Sequence, residues 1–308
     1  MSDKSTEVAP LARWSSRIAV FSVSLVVVGV VLHRLTSFPT PVALNLFAVG
    51  AGGAALAVLV GLVAAVQIWR RGTPGAASVA VGILLPVLMA AWPLTYLPAF
   101  LRLPPINDIS TDIQAPPRFV ALAQQRPREA NRPEYPGARF ASEQEKAYPD
   151  LHTVVVDRGV EEAFEMVEEI VRKLKWRVAT VTPPAGKGAT GGTIEATDVT
   201  PVVGFVDDIA IRVEGTAERS RIDMRSASRF GRADFGQNAQ RVRRFLVELQ
   251  SRVDTTAPVA VAGRRGARAR ALVKKVKERD PQKAESRSKQ GRAQSSAQRE
   301  RGQKETLR

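Results

Sequence analysis

The residues best equipped for chemistry lie between Gly204 and Phe245, in GFVDDIAIRVEGTAERSRIDMRSASRFGRADFGQNAQRVRRF. Asp207, Asp208, Arg212, Arg225, Ser226, Ser228, Arg229, Asp234 and Asn238 gather carboxylates, guanidiniums, hydroxyls and an amide into one short stretch. Paired carboxylates do general acid–base work, and guanidiniums beside hydroxyls hold anions. Asp207 and Asp208 are adjacent on an alternating run, so they face opposite sides of a strand and cannot act together on one bond. Arg229, Arg232 and the amides of a helix starting after Asp234 would make an anion site. The plainer use of the same groups is structural: Asp234 caps the helix while Asp207, Arg229 and Asn238 hold it to the sheet.

The elements that must position these groups are legible around them. Phe205 to Val213 and Arg221 to Arg229 alternate in polarity, with Gly215 and Thr216 between, which predicts a β-hairpin. Matching the apolar faces sets Val213 opposite Ile222, Ile211 opposite Met224 and Asp207 opposite Ser228. Asp207 then shares a face with Phe205, Ile209 and Ile211, where an unpaired carboxylate costs several kcal/mol. Ser226, Ser228 and Arg229 are its expected partners. On the other face Asp208, Arg212, Asp223 and Arg225 read as a solvated charge ladder. After Gly231, a run with Ala239, Val242, Phe245, Leu246 and Leu249 on one side predicts an amphipathic helix.

Five ordered blocks, PPINDISTD (Pro104 to Asp112), YPDL (Tyr148 to Leu151), IEATD (Ile194 to Asp198), GFVDDIAIRV and DMRSASRFGRADFGQNAQRVRRF, resemble the bacterial and plastid family known as domain of unknown function 1499 (DUF1499). The resemblance covers roughly residues 104–250. It implies a fold and a location; the family has no established activity, so it carries over no catalytic residue. Within the first block Asn107, Asp108 and Asp112 offer oxygen ligands or hydrogen bonds, with an Asx-turn the ordinary use of any one.

Charge and hydropathy divide the whole chain of 308 residues into four parts. Residues 1–101 read as a membrane anchor, with apolar spans at Ile18 to Leu32, Pro41 to Trp69 and Gly75 to Phe100. Gly53, Ala57 and Gly61 recur every four residues, which favours close helix contact. No Asp, Glu, Lys or Arg interrupts those runs, which argues against an ion pathway. Residues 102–150 form a Pro-rich segment that must wrap over a neighbour or stay extended. Residues 151–252 follow the order β-α-β-β-β-β-α, predicting an α+β domain with an antiparallel sheet and both helices on one face. That order is TBP-like or Bet v 1-like. The loop PPAGKGATGG lacks phosphate-loop spacing and reads as a hairpin turn.

Residues 253–308 form a basic tail expected to be disordered. From Ala257 onward, 16 Lys and Arg stand against 5 Asp and Glu, +11 of the formal +15. Anionic lipid or an acidic polymer is its expected partner. Nucleic acid is disfavoured, because no aromatic residues are interleaved for base stacking. The chain has no Cys, and His33 and His152 have no ligand spacing, so no metal site or cofactor is expected.

Basic residues at the span ends orient the anchor. Lys4, Arg13, Arg17, Arg70 and Arg71 fall on one side, against Arg34 and Arg102 on the other. The positive-inside tendency puts the N-terminus in the cytoplasm and the domain outside the inner membrane, periplasmic in a Gram-negative cell. The function expected is an extracytoplasmic module that binds a small polar ligand or an envelope protein. The alternatives are a hydrolase with Asp207 or Asp208 as base, and a structural accessory of a membrane complex.

Overall fold

The computed structural model describes residues 8–36, 38–185 and 190–256. It is an α+β protein, with three apolar helices followed by an antiparallel-sheet domain. Helices α1 (Pro10–Leu35), α2 (Thr40–Arg71) and α3 (Ala76–Leu94) are each long and apolar enough to cross a membrane. The first reaches that length by taking in Arg13 and Arg17 ahead of its apolar run. Gly72 ends α2 in the left-handed region (φ 68°), its N–H returning to the Ile68 carbonyl.

Small residues let the three helices touch. Gly50, Ala54, Ala57, Gly61 and Ala64 line the buried side of α2, and the Ser15 hydroxyl donates to the Ala57 carbonyl at 2.8 Å. A Cβ on Gly53 would lie 2.3 Å from Ser22 Oγ, and one on Gly82 would lie 1.9 Å from Ser15 Oγ. Phe21, Leu59, Trp69 and Leu88 point away from the bundle and stay exposed, as lipid-facing side chains do.

A short helix, α4 (Leu97–Arg102), leads from the three apolar helices into the domain. There β1 (Asp108–Ser110), β2 (Val154–Val156), β3 (Arg177–Thr182), β4 (Gly191–Val199), β5 (Val206–Gly215) and β6 (Ser220–Ser228) form one antiparallel sheet. Its order is β1-β6-β5-β4-β3, with β2 sharing the β6 edge with β1. The hairpin register is the one the apolar faces demand: Val213 opposite Ile222, Ile211 opposite Met224, Asp207 opposite Ser228. β3 and β4 also pair antiparallel, although residues 186–189 of their connection lie outside the described residues.

Helices α7 (Val160–Lys173) and α8 (Gln237–Thr256) meet the same face of the sheet. Gly192 pairs with Val213, and a Cβ there would fall 2.7 Å from the Phe164 ring, which shows how closely α7 approaches. On α8, Phe245 stacks on Trp176 with ring centroids 6.2 Å apart. Ile194, Ile209, Ile211, Val213, Ile222 and Met224 fill the space between, all fully buried. Phe164, Val167, Ile170 and Val171 on α7 bury the stripe that helical spacing assigns them.

Residues 102–150 wrap over the opposite face. Phe119, just before the short helix α5 (Ala121–Gln125), and Leu122 within it cluster with Ala210 and Ala227 of the sheet. Helix α6 (Ala138–Ala147) closes the free edge of β1: the Gln144 amide donates to Ser110 O at 2.6 Å and accepts from Ser110 N at 3.0 Å. That contact gives Ser110 the pair of bonds a neighbouring strand would supply, through a side chain.

Three aromatic contacts join the N-terminal helices to the domain. The His33 ring lies 5.6 Å from Phe205, and Phe235 lies 5.8 Å from Tyr96 and 6.4 Å from Phe100. Residues up to Leu249 make one compact unit. Of Gln250–Arg308, the described residues are the last turns of α8, where Gln250 donates to Asp254 at 2.8 Å. Residues 253–256, read from sequence as the start of a disordered tail, are helical in α8; the rest of the basic tail, 257–308, lies outside the described residues.

Candidate functional site

On the helix-facing side of the sheet, β4 and β5 set Asp198 directly opposite Asp207. Two aligned carboxylates would repel each other, and Arg241 of α8 lies between them. Its Nε donates to Asp198 at 2.8 Å and its Nη2 to Asp207 at 2.7 Å. Burial works against the Arg241 charge, but the two carboxylates outweigh it and raise the guanidinium pKa. Arg241 Nη1 also donates to Asn238 Oδ1 and Ser226 Oγ, and Asn238 Nδ2 donates to Ser228 Oγ at 2.9 Å and Asn107 O at 3.1 Å. Every one of these groups is buried and satisfied, except that Asp198 is part exposed.

Asp234 precedes α8 and accepts from Gly236 N and Asn238 N, both at 2.8 Å. Burial raises its pKa, with those amides pulling the other way. The helix start is therefore filled by its own carboxylate, and the anion site expected there does not form. Arg229 does not contribute to it either, since its side chain is on the other side of the sheet.

That other side is the larger correction. Asp208 (0% exposed), Asp223 (1%) and Arg225 (2%) are enclosed, so the face read as solvated is a buried ionic layer. The reason is the 102–150 segment, whose covering role no local pattern in the hairpin announces. Asp208 accepts from Arg229 at 2.8 Å and from Arg126, in the covering segment, at 2.7 Å. Arg225 forks onto Asp108 with Nε at 2.9 Å and Nη2 at 2.6 Å, and donates to the carbonyls of Pro117 and Pro133. The Phe119 and Tyr135 rings cover its guanidinium at 4.5 and 5.5 Å. Burial raises the Asp108 pKa, with Arg225 opposing.

Further along, Arg212 donates to Asp223 at 3.0 Å and to Asp112 at 2.9 Å, and Arg221 reaches both carboxylates. Thr111 and Thr153 complete the shell of Asp223. Asp112 also accepts from the amides of Gln114 and Ala115, the Asx-turn its spacing predicts. Burial opposes its ionisation, but those amides and the two guanidiniums hold its pKa below the usual carboxylate value.

The candidate residues thus divide between two faces. Asp207, Ser226, Ser228, Asp234 and Asn238 come together on one, and Asp208, Arg212, Arg225 and Arg229, with Asp108 and Asp112, on the other. Asn107 bridges the end of the sheet, its amide donating to Gly231 O at 2.5 Å. Reasoning from sequence missed Arg241, Asp198, Arg126, Tyr135 and Glu195. Arg241 had a signal, because it lies three residues after Asn238 and four before Phe245 on one helical face. Glu195 is buried and caps α5, accepting from the amides of Val120, Ala121 and Leu122 at 2.8 to 3.0 Å. Arg126 and Tyr135 had none; they arrive from irregular chain.

Beside the ionic layer is a cleft of about 760 Å3. Its floor includes Asn107, Asp108, Ala227 and Ser228, and its walls carry Arg126, Arg132, Tyr135, Glu143 and Arg232. Two polar atoms of its lining residues are buried without a partner, Arg126 Nη2 and the Tyr135 hydroxyl. Burial and the nearby Asp108 carboxylate push the Tyr135 pKa to about 12. Among the described residues no group of three or more His, Asp or Glu is arranged to hold a metal ion.

Fold and site together define a small α+β domain, carried behind three apolar helices, whose polar residues lock both faces of its sheet. Residues 108–249 match the family model described as Protein of unknown function (DUF1499), in agreement with the resemblance seen in the sequence blocks. No curated protein matches the chain. Among solved structures, the Zhui aromatase/cyclase from Streptomyces sp. R1128 is similar at 16% identity, over 39% of this chain and 94% of its own, with a TM-score of 0.14. A superposition at that score carries no argument about fold or chemistry.

Proposed function

We propose that this protein is a membrane-anchored binding module whose folded domain stands on the extracytoplasmic side. The observation that carries the reading is a contrast in hydrogen bonding. Most charged groups of the two sheet faces are spent on one another, and of the five buried side-chain atoms without a partner among the described residues, two, Arg126 Nη2 and the Tyr135 hydroxyl, belong to residues that line one cleft. Buried polar atoms are nearly always paired, so orphans beside a cleft of ligand size mark the place where something binds.

This moves the binding surface away from Asp207 and its neighbours, which serve as the lock between sheet and α8. A hydrolase reading with Asp207 or Asp208 as base draws no support from their surroundings, since Arg241, Arg126 and Arg229 hold both and neither lines the cleft. Sidedness rests on Arg13, Arg17, Arg70 and Arg71 at one end of the helices against Arg34 and Arg102 at the other. An inner-membrane location, an envelope protein as partner, and anionic lipid or acidic polymer for residues 257–308 belong to the same proposal. So does a TBP-like or Bet v 1-like kinship, argued from the order β2-α7-β3-β4-β5-β6-α8.

The test uses the full chain in native-lipid nanodiscs and native mass spectrometry. A bound small molecule is expected, and Glu134→Trp, which places a ring at the exposed mouth of the cleft, should remove it. An adduct indifferent to that change, or none at all, overturns the reading. Reporter fusions after residue 308 and near Gly72 test the sidedness, with opposite signals expected.

A further inference from the structure

Arg126 is enclosed, its side chain 3% exposed. Its Nε is spent on Asp208, and its Nη1 on the carbonyls of Asn131 and Arg132 at 2.8 and 2.9 Å. Only Nη2 is left over, buried and without a partner, and the Tyr135 hydroxyl is in the same condition. Both side chains line the cleft. The Nη2 group can only donate and the hydroxyl is unpaired, so a group in the cleft that accepted from both would satisfy them.

The charges around the cleft narrow its chemistry. Asp108 is taken by Arg225, and Glu143 by Arg139 at 2.9 Å. Arg132 and Arg232 line the cleft, are exposed, and hold no ion pair among the described residues. Glu134 is the one lining carboxylate without a guanidinium partner. Asp208, which balances Arg126, is shared with Arg229. The cleft therefore has an excess of positive charge with donors on more than one side, and a doubly charged oxyanion meets it better than a carboxylate.

We infer that the cleft binds a phosphate group, with Arg126 Nη2 and the Tyr135 hydroxyl donating to its oxygens and Arg132 and Arg232 at the mouth. The inference rests on the cleft being the binding site proposed above. The phenol, with its pKa near 12, is a donor throughout the neutral range. A phosphate monoester carries about −2 at neutral pH and accepts on three oxygens. Two sources share this chemistry, a soluble phosphate ester and a phospholipid headgroup. The second is in reach because Arg232 belongs to the loop whose Phe235 touches Tyr96 and Phe100, and Pro105 lies three residues after the end of α4.

The experiment uses the full chain in dodecyl maltoside, a detergent without phosphorus. One arm titrates inorganic phosphate and another phosphatidic acid, with acetate at matched ionic strength as control, all by isothermal titration calorimetry. Saturable binding is expected in a phosphate arm and not with acetate; binding in the lipid arm alone assigns the source to the headgroup. Tyr135→Phe and the pair Arg132→Gln with Arg232→Gln should each weaken binding by about tenfold, and the melting temperature without ligand should not change. Arg126→Lys serves as a second probe, because it keeps the charge beside Asp208 and removes the free Nη2. Equal binding of acetate, no binding in either phosphate arm, or indifference to Tyr135→Phe overturns the inference. A native adduct that Glu134→Trp removes but that contains no phosphorus overturns it while leaving the cleft as the binding site.

Discussion

Asp207 and Arg241 form an enclosed ion pair, Oδ2 to Nη2 at 2.7 Å, that ties the second-last strand to the last helix. Arg241 also holds Asp198 at 2.8 Å, so one guanidinium neutralises two aligned carboxylates. Removing one partner of a buried pair leaves the other charge uncompensated, which costs about 3–5 kcal/mol. Asp207→Asn should lower the unfolding free energy by roughly that amount. Arg241→Met should cost more, because it orphans two carboxylates. Chemical denaturation of the full chain in micelles, followed by tryptophan fluorescence, in which Trp176 reports on the domain and Trp14, Trp69 and Trp92 lie in the apolar helices, checks both.

Arg225 is held by geometry as much as by charge. Its fork on Asp108, its bonds to two proline carbonyls and its two ring contacts need a planar guanidinium. Arg225→Lys should therefore destabilise by about 3 kcal/mol although the charge is kept. Arg225→Met should be worse, and Asp108→Asn should recover part of that loss by removing the orphaned carboxylate. A double-mutant cycle in denaturant measures the coupling.

The pH dependence follows from Asp112. Its folded pKa lies below the ordinary 3.8, held down by amides and guanidiniums against the effect of burial. The unfolded chain thus binds this proton more readily than the native one. Its stabilising contribution is complete above the unfolded value and is lost as pH falls through the folded value. Asp112→Asn should flatten the fall in denaturation midpoint below about pH 4. Asp108 and Asp234 act in the opposite sense, because burial raises their pKa and the native state takes up their protons first. Asp234→Asn should remove that gain, which builds as pH falls from the raised folded value toward the ordinary 3.8 and so lies above the window that Asp112 shapes.

Phe235 has φ 53°, a region that costs a non-glycine residue about 1–2 kcal/mol. The ring it places beside Tyr96 and Phe100 offsets that strain and fixes the loop before α8 to the segment that follows α3. Phe235→Ala loses the ring and keeps the strain, whereas Phe235→Gly loses both. The alanine variant should melt lower than the glycine variant, by a few degrees. Both should speed hydrogen exchange at Gly236 and Gln237, measured by mass spectrometry.

Much of this architecture is written locally. Three long apolar runs need no partner to declare that they can cross a membrane, and α7 shows its buried stripe at helical spacing. The hairpin register follows from period-2 alternation, because one slip would invert every side chain between Val206 and Ser228. The Asp234 cap and the Asp112 turn are contacts within a few residues, so the residue types alone announce them.

What tertiary structure decided is how the charges are used. Alternation says that Asp208 and Arg225 leave the apolar face, but not whether water or protein meets them on the other side. That depends on residues 102–150, which have no periodicity and gain their shape only by covering the sheet. Partners 82 and 117 residues away, Arg126 for Asp208 and Asp108 for Arg225, turned a face read as wet into a buried ionic layer. The cleft is of the same kind. It exists because an irregular segment crosses a strand end and leaves one guanidinium nitrogen and one phenol unpaired, and no spacing along the chain encodes such an encounter.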